Sequence, residues 1–225
     1  MKENISKTDK PADGAGPVPD LPEKALVVLS AARTIFLRHG FSASTTDMIQ
    51  REAGVSKSTL YAHFGSKEGM FAAVIKTECA KRISRVNLVE LTSENLREQL
   101  LALGRAYLDI LLAPDTIALY RTVIEVAPVL PELADLFYKS GPQSLHLAVR
   151  RCLEVALQEG RIVTEKRSIE ELAELLTCSL RGELHMRCAL YPGLETPQPL
   201  REQWLGLAVD SFLAAYGTGA SRAIQ

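Results

Sequence analysis

From Pro22 to Tyr216 apolar side chains recur at three- and four-residue intervals, and no window alternates apolar with polar residues under Val, Ile and Thr enrichment. A period near 3.6 marks a helix with one buried stripe; a period of 2 marks a half-buried strand. The chain is therefore expected to be all-α. In the first segment Ala25, Leu29, Ala32 and Phe36 make the stripe, Leu26 and Ile35 widen it, and Gly40 closes it. With 47% hydrophobic residues in 225, the chain can bury a substantial core.

Turn and capping residues divide this pattern. Pro22 suits the first turn of a helix, where its missing N–H costs nothing. The hydroxyls of Ser44, Thr45 and Thr46 offer caps for a short helix running to about Ala53, which Gly54 ends. Ser56 caps a third helix, Lys57 to Phe64, and Ser66 a fourth that runs to residue 85. Further helices are expected from Ser93 to Leu112, Pro114 to Ala127, Glu132 to Tyr138, Gln143 to Glu159, Ile169 (capped by Ser168) to Leu190, and Leu200 to Tyr216. Residues 1–21 hold Pro11, Pro17, Pro19, Gly14 and Gly16 and little that is apolar, so they read as a disordered tail. Residues 218–225 read as a flexible end.

No apolar run approaches the ~18 residues a membrane helix needs. The first residues also lack the apolar stretch of a secretory signal. A cytoplasmic location without a membrane partner is expected. Cys79, Cys152, Cys178 and Cys188 are widely spaced and form no CxxC pair, so they read as small buried hydrophobes rather than metal ligands. No metal or cofactor is expected.

The net charge of −1 conceals an asymmetry. Residues 22–85 carry ten Lys and Arg against five acids, net +5; residues 86–225 carry thirteen against eighteen, net −5. A basic N-terminal third on an acidic remainder points to a polyanion-binding head. The acidic body would resist lying down on the same polyanion.

Residues 44–67 read STTDMIQREAGVSKSTLYAHFGSK: helix, tight turn, helix. Ile49, Ala53, Val55 and Leu60 face inward and Gly54 permits the turn. A helix-turn-helix offers its second helix to the major groove of DNA. The outward residues there are Lys57, Ser58, Thr59, Tyr61 and His63; each can donate a hydrogen bond and none is acidic. Lys67 follows at the start of the next helix, where free N–H groups favour phosphate.

This segment resembles the DNA-binding domain of the tetracycline-repressor (TetR) family of transcriptional regulators. The resemblance rests on Ala31-Ala32, Phe36, Gly40, Thr45-Thr46, Ile49, Ala53-Gly54-Val55-Ser56, Thr59-Leu60-Tyr61, His63-Phe64 and Lys67-Glu68. Met70 stands where the family often has Leu. The stretch Leu119-Tyr120-Arg121-Thr122-Val123-Ile124-Glu125, with Pro131-Glu132-Leu133 and Phe137-Tyr138, is similar to the AefR-like subgroup. The resemblance implies a three-helix DNA-binding domain at 22–68, a connector helix at 67–85, and a larger helical ligand-binding and dimerisation domain at 86–217. It implies that Thr45 and Thr46 touch the DNA backbone, that Lys57 and Ser58 lie nearest the base edges, and that Thr59, Tyr61, His63 and Lys67 hold phosphates. It also implies a homodimer on palindromic double-stranded operator DNA, most often repressing and released by a small molecule.

Two helices bear on dimerisation directly. Leu172, Leu175, Leu176, Leu180, Leu184 and Met186 nearly encircle one; Trp204, Leu205, Leu207, Ala208, Val209, Phe212 and Leu213 nearly encircle the other. A helix apolar all round is buried on more than one side. The expected dimer contacts are Leu172, Leu176, Leu180, Leu184, Trp204, Leu207, Ala208 and Phe212; a central core helix of a monomer would give the same pattern. For an effector, the candidates are Tyr107, Leu111, Tyr120, Ile124, Phe137, Arg181 and His185. Arg181 and His185 stand one turn apart on an apolar helix and could orient an acidic or phenolic ligand, or pair with Glu125 or Glu183. An enzyme is disfavoured, because no HExxH, GxSxG or Walker motif is present. A DNA-binding dimer without an effector remains open. A closed core would favour it, and a cavity of several hundred Å³ would count against it.

Overall fold

The computed structural model describes residues 21–87 and 95–219, with backbone alone at 84–87. Among them lie ten helices: α1 (Glu23–His39), α2 (Thr46–Ala53), α3 (Lys57–Phe64), α4 (Lys67–Asn87), α5 (Leu96–Leu111), α6 (Pro114–Val126), α7 (Pro131–Ser140), α8 (Pro142–Gln158), α9 (Ile169–Leu190) and α10 (Gln198–Tyr216). Extended pairing among the described residues is limited to one antiparallel bridge between Ile162 and Gly217. None of the helices is long and apolar enough to cross a membrane.

Local chemistry sets most of the boundaries. Pro22 sits at the N-cap of α1, one residue before the helix rather than inside its first turn. Thr45 caps α2 by accepting from the Met48 N–H at 3.2 Å, and Ser56 caps α3 by accepting from Thr59 N–H at 3.2 Å. Ser44 plays a different part from the cap its position suggests. It is buried, and its hydroxyl donates to the carbonyls of Ile35 and Gly40, closing the α1–α2 turn from inside. The cap of α5 is Asn95, which accepts from Arg97 N–H at 2.9 Å. Ser93, the expected cap, lies outside the described residues, as do the tail through residue 20 and the end from residue 220. Thr218, expected to begin a flexible end, is instead pinned: its N–H and hydroxyl both donate to the Arg161 carbonyl.

Two apolar cores result. The first gathers Val28, Ala32 and Phe36 of α1, Ile49 of α2, Leu60 of α3, and Met70, Phe71, Val74 and Ile75 of α4. It continues into Leu119, Val123 and Val126 of α6 and Leu133 and Phe137 of α7. A cut at residue 85 therefore does not separate the cores, because α6 and α7 pack under the N-terminal helices. The second core joins α5, α8, α9 and α10 through residues such as Leu100, Leu153, Leu176 and Val209.

Ion pairs fasten α1 to its neighbours. Glu78 of α4 is almost fully buried and accepts from Arg33 of α1 at 3.0 Å and from Arg82 at 2.9 Å. Burial alone would raise its pKa, but these two guanidiniums more than offset that and hold it below the usual carboxylate range. Arg33 also pairs with Asp115 of α6. Glu125 of α6 accepts from the Ser42 N–H at 3.3 Å.

Helix α9 is one element in sequence but not in geometry. Gly182 interrupts it with φ 53° and ψ −160°, a conformation essentially closed to residues with a side chain. A Cβ built there would come within 2.4 Å of the Trp204 ring. The Trp204 indole N–H donates at 3.0 Å to the carbonyl of Ser179, in the turn before the break. The indole thus occupies the break and satisfies a carbonyl there.

Candidate nucleic-acid interface and internal cavity

The turn between α2 and α3 is set by Gly54, which ends α2 with φ 64° and ψ 28° in the left-handed region. Ile49 and Leu60, both fully buried, anchor the two helices to α1 and α4. With one side fixed, the opposite side of α3 is exposed: Lys57, Ser58, Tyr61, Ala62 and His63. Thr59 is only partly exposed, and its hydroxyl shares a 2.8 Å hydrogen bond with Ser56. Ser58 shares another with Ser56, also at 2.8 Å. Thr45 is exposed but engaged in capping; Thr46 is half-buried and its hydroxyl accepts from the Tyr61 hydroxyl at 3.3 Å. Tyr61 thereby ties α3 to the start of α2.

This face carries no acid from α3 itself, but α2 contributes one. Asp47 pairs with Lys57 at 2.8 Å. The hydrogen bond to Lys57 lowers the Asp47 pKa, and its counterpart raises that of Lys57. Lys57 is therefore held at the tip of α3 with its charge partly answered. Nothing in the sequence marks this pair, because ten positions separate the two residues and only the packing of α2 on α3 brings them together. Lys67 is drawn inward: its ammonium lies 4.2 Å from the centre of the Phe41 ring. Partial burial lowers its pKa.

A second feature lies between the two cores. A cavity of about 80 Å³ is lined from α4 by Cys79, Arg82 and Ile83, from α5 by Tyr107, Ile110 and Leu111, and from α6 by Thr116, Leu119 and Tyr120. Phe137 of α7, Leu145 of α8, and Arg181 and His185 of α9 close it. Six of the seven expected effector residues meet here. Ile124 does not: it is 56% exposed and lines a surface groove instead, because the α6 stripe that faces inward passes through Leu119 and Val123. Neither Arg181 nor His185 forms an ion pair among the described residues, so pairing with Glu125 or Glu183 is not what holds them. Burial, with a smaller contribution from Arg181, pushes the His185 imidazole down to about 4, so it is neutral near pH 7. Its ring packs edge-on to Tyr120, centroids 4.7 Å apart. Thr116 went unnoticed in sequence; its hydroxyl is buried and has no hydrogen-bond partner.

The apolar surface on α9 and α10 differs from expectation. Leu172, Leu176, Leu180 and Leu184 are buried within their own chain and offer a second one little surface. Helical spacing makes two stripes on such a helix, and only packing decides which faces inward. The outward residues are Leu175, Met186 and Leu190 on α9 and Leu200 and Leu207 on α10, the last 61% exposed. Trp204, Leu207, Ala208 and Phe212 line a shallow groove with Leu175, although Ala208 and Phe212 are themselves largely buried.

Known proteins resemble this chain in sequence and fold. Residues 28–74 match the family model for bacterial regulatory proteins of the tetR family, and residues 98–218 match that for the C-terminal domain of AefR-like transcriptional repressors. The transcriptional activator FasR of Mycolicibacterium smegmatis is 35% identical over 82 residues, 36% of this chain and 37% of that protein. The transcriptional repressor AcnR of Corynebacterium glutamicum is 31% identical over 68 residues, 30% of this chain and 33% of that protein. The matches thus span about a third of the length of these curated relatives. Among solved structures, the flavonoid-responsive regulator FrrA is 32% identical with a TM-score of 0.74, covering 87% of this chain and 98% of that one. A regulator from Mesorhizobium loti shares the fold at TM-score 0.77 and 23% identity, over 87% of this chain and 97% of that one.

Proposed function

The chain belongs to the TetR family of bacterial regulatory proteins, a DNA-binding transcriptional regulator and not an enzyme, and we propose that it works as a homodimeric, cytoplasmic repressor that leaves a palindromic operator when a small molecule enters its cavity. The observation that carries this reading is the exposed side of α3. Lys57, Ser58, Tyr61 and His63 stand together as donors on a short helix whose other side is locked into the first core. Donors of this kind hold phosphates and read base edges. Two copies related by a two-fold axis would place two such helices in successive major grooves, about 34–36 Å apart.

Repression is favoured over activation by the match of the larger domain to an AefR-like repressor domain. The cavity offers the effector a place but not a ready-made site: at about 80 Å³ it falls short of the several hundred Å³ that would count against an effector-free dimer and of the ~300–1,000 Å³ of a typical ligand site, so a ligand must push helices apart to enter. The helix to move is α4, which lines the cavity at Cys79, Arg82 and Ile83 and packs at Met70 to Ile75 inside the first core. A coupling of ~1–3 kcal/mol along it would change DNA affinity about 5–150-fold. FrrA responds, by its name, to flavonoids; an aromatic effector suits the Tyr107, Tyr120 and Phe137 walls here.

The test is footprinting on the DNA upstream of the gene and its neighbours, with affinity measured from low to high salt. A protected palindrome is expected, with affinity falling by ~10³-fold or more between 50 and 200 mM salt. Absence of any protected site, or affinity indifferent to salt, would overturn the reading.

A further inference from the structure

The cavity wall is uneven in charge. Among the described residues it contains two guanidiniums, Arg82 and Arg181, and no carboxylate. Arg82 is already engaged, donating at 2.9 Å to both the side chain and the backbone carbonyl of Glu78. Arg181 has no ion-pair partner among the described residues. Together with Tyr120 and His185 it lines both the cavity and an open groove on the outer surface, so these three residues form the mouth; the groove beyond them also carries Arg121, Glu125 and Glu183. The Thr116 hydroxyl, on the same wall, is buried without a partner.

We propose that the cavity takes a small organic anion, a single-ring aromatic carboxylate, with its ring among the aromatic walls, its carboxylate on Arg181 at the mouth, and its far end within reach of Thr116. This rests on the reading of the chain as a ligand-released regulator and names the ligand's class. The physical reason is charge pairing. Arg181 is exposed at the mouth and has no ion-pair partner among the described residues. A carboxylate seated against it gains charge-assisted hydrogen bonds that a neutral ligand cannot supply. In the free chain burial keeps His185 neutral near pH 7, so Arg181 carries the positive charge at the mouth. Size points the same way: a ~150 Å³ apolar cavity holds a benzene ring, so one of about 80 Å³ needs only modest opening for a single ring.

The experiment titrates the full chain with benzoate and 4-hydroxybenzoate, and with benzamide as the neutral twin. Binding is read by calorimetry and by the fluorescence of Trp204, the one tryptophan, which packs against Gly182 next to Arg181. The carboxylates are expected to bind at least about tenfold tighter than the amide. Arg181→Gln should abolish that preference and Arg181→Lys should keep part of it. Thr116→Val should weaken 4-hydroxybenzoate roughly two- to tenfold. Equal binding of amide and acid, or a preference that survives Arg181→Gln, overturns the anion assignment; release of DNA by the neutral probe would then still uphold the ligand-released regulator. No binding of any probe at millimolar concentration also overturns the assignment, and release of DNA by an unrelated larger molecule would show that only the ligand class had failed.

Discussion

Lys57 brings positive charge to the tip of α3, and in the free protein that charge is already answered by Asp47 at 2.8 Å. DNA phosphate must compete with this carboxylate or tolerate it nearby. Asp47→Asn should therefore raise affinity for DNA of any sequence by a few-fold while narrowing the gap between operator and random DNA. Gel-shift titrations on both DNAs check this, and unchanged affinity would mean that Lys57 makes no DNA contact. Other single residues were legible only in part. The caps Thr45 and Ser56 were readable because hydroxyls before a helix have one obvious partner. Ser44 carries the same hydroxyl but is turned inward by the α1–α2 corner. Thr116 left no trace in the sequence, since an unpaired hydroxyl is a property of its surroundings.

Elements were the most readable level. Periodicity and Pro/Gly punctuation place every helix to within a few residues, because capping and stripe spacing are local. The break in α9 escaped, since Gly182 sits in an otherwise unbroken apolar pattern and its conformation is imposed by Trp204 on α10. Gly182→Ala must bear a positive φ and meet the indole ring. A loss of ~2–4 kcal/mol in unfolding stability is expected from denaturant titration. A red shift of Trp204 fluorescence should accompany it as the ring is displaced. Wild-type stability in this variant would mean that α9 can run straight.

The whole molecule assigns surfaces that no single helix can. On α9 the stripe through Leu172, Leu176 and Leu180 packs inside, leaving Leu175, Met186 and Leu190 with Leu207 of α10 as the outward apolar row. If this row joins two copies, Leu175→Glu with Leu207→Glu should yield monomers by sedimentation and lose operator binding, while each copy keeps its helical content. Leu176→Ala should behave oppositely, losing ~2–5 kcal/mol of stability with its association state unchanged. The same scale explains the charge. A basic N-terminal third and an acidic remainder were visible in composition, but the packing of α6 and α7 into the first core was not. The sequence by itself determined the all-helical class, the helix boundaries and the acid-free α3, because each depends on residues within a turn or two of one another. Tertiary structure alone decided which apolar stripe is buried, that Asp47 meets Lys57, and that Arg181 ends at a cavity mouth without an ion-pair partner among the described residues. Those outcomes depend on residues ten to more than a hundred positions apart coming into contact, and local spacing carries no record of such contacts.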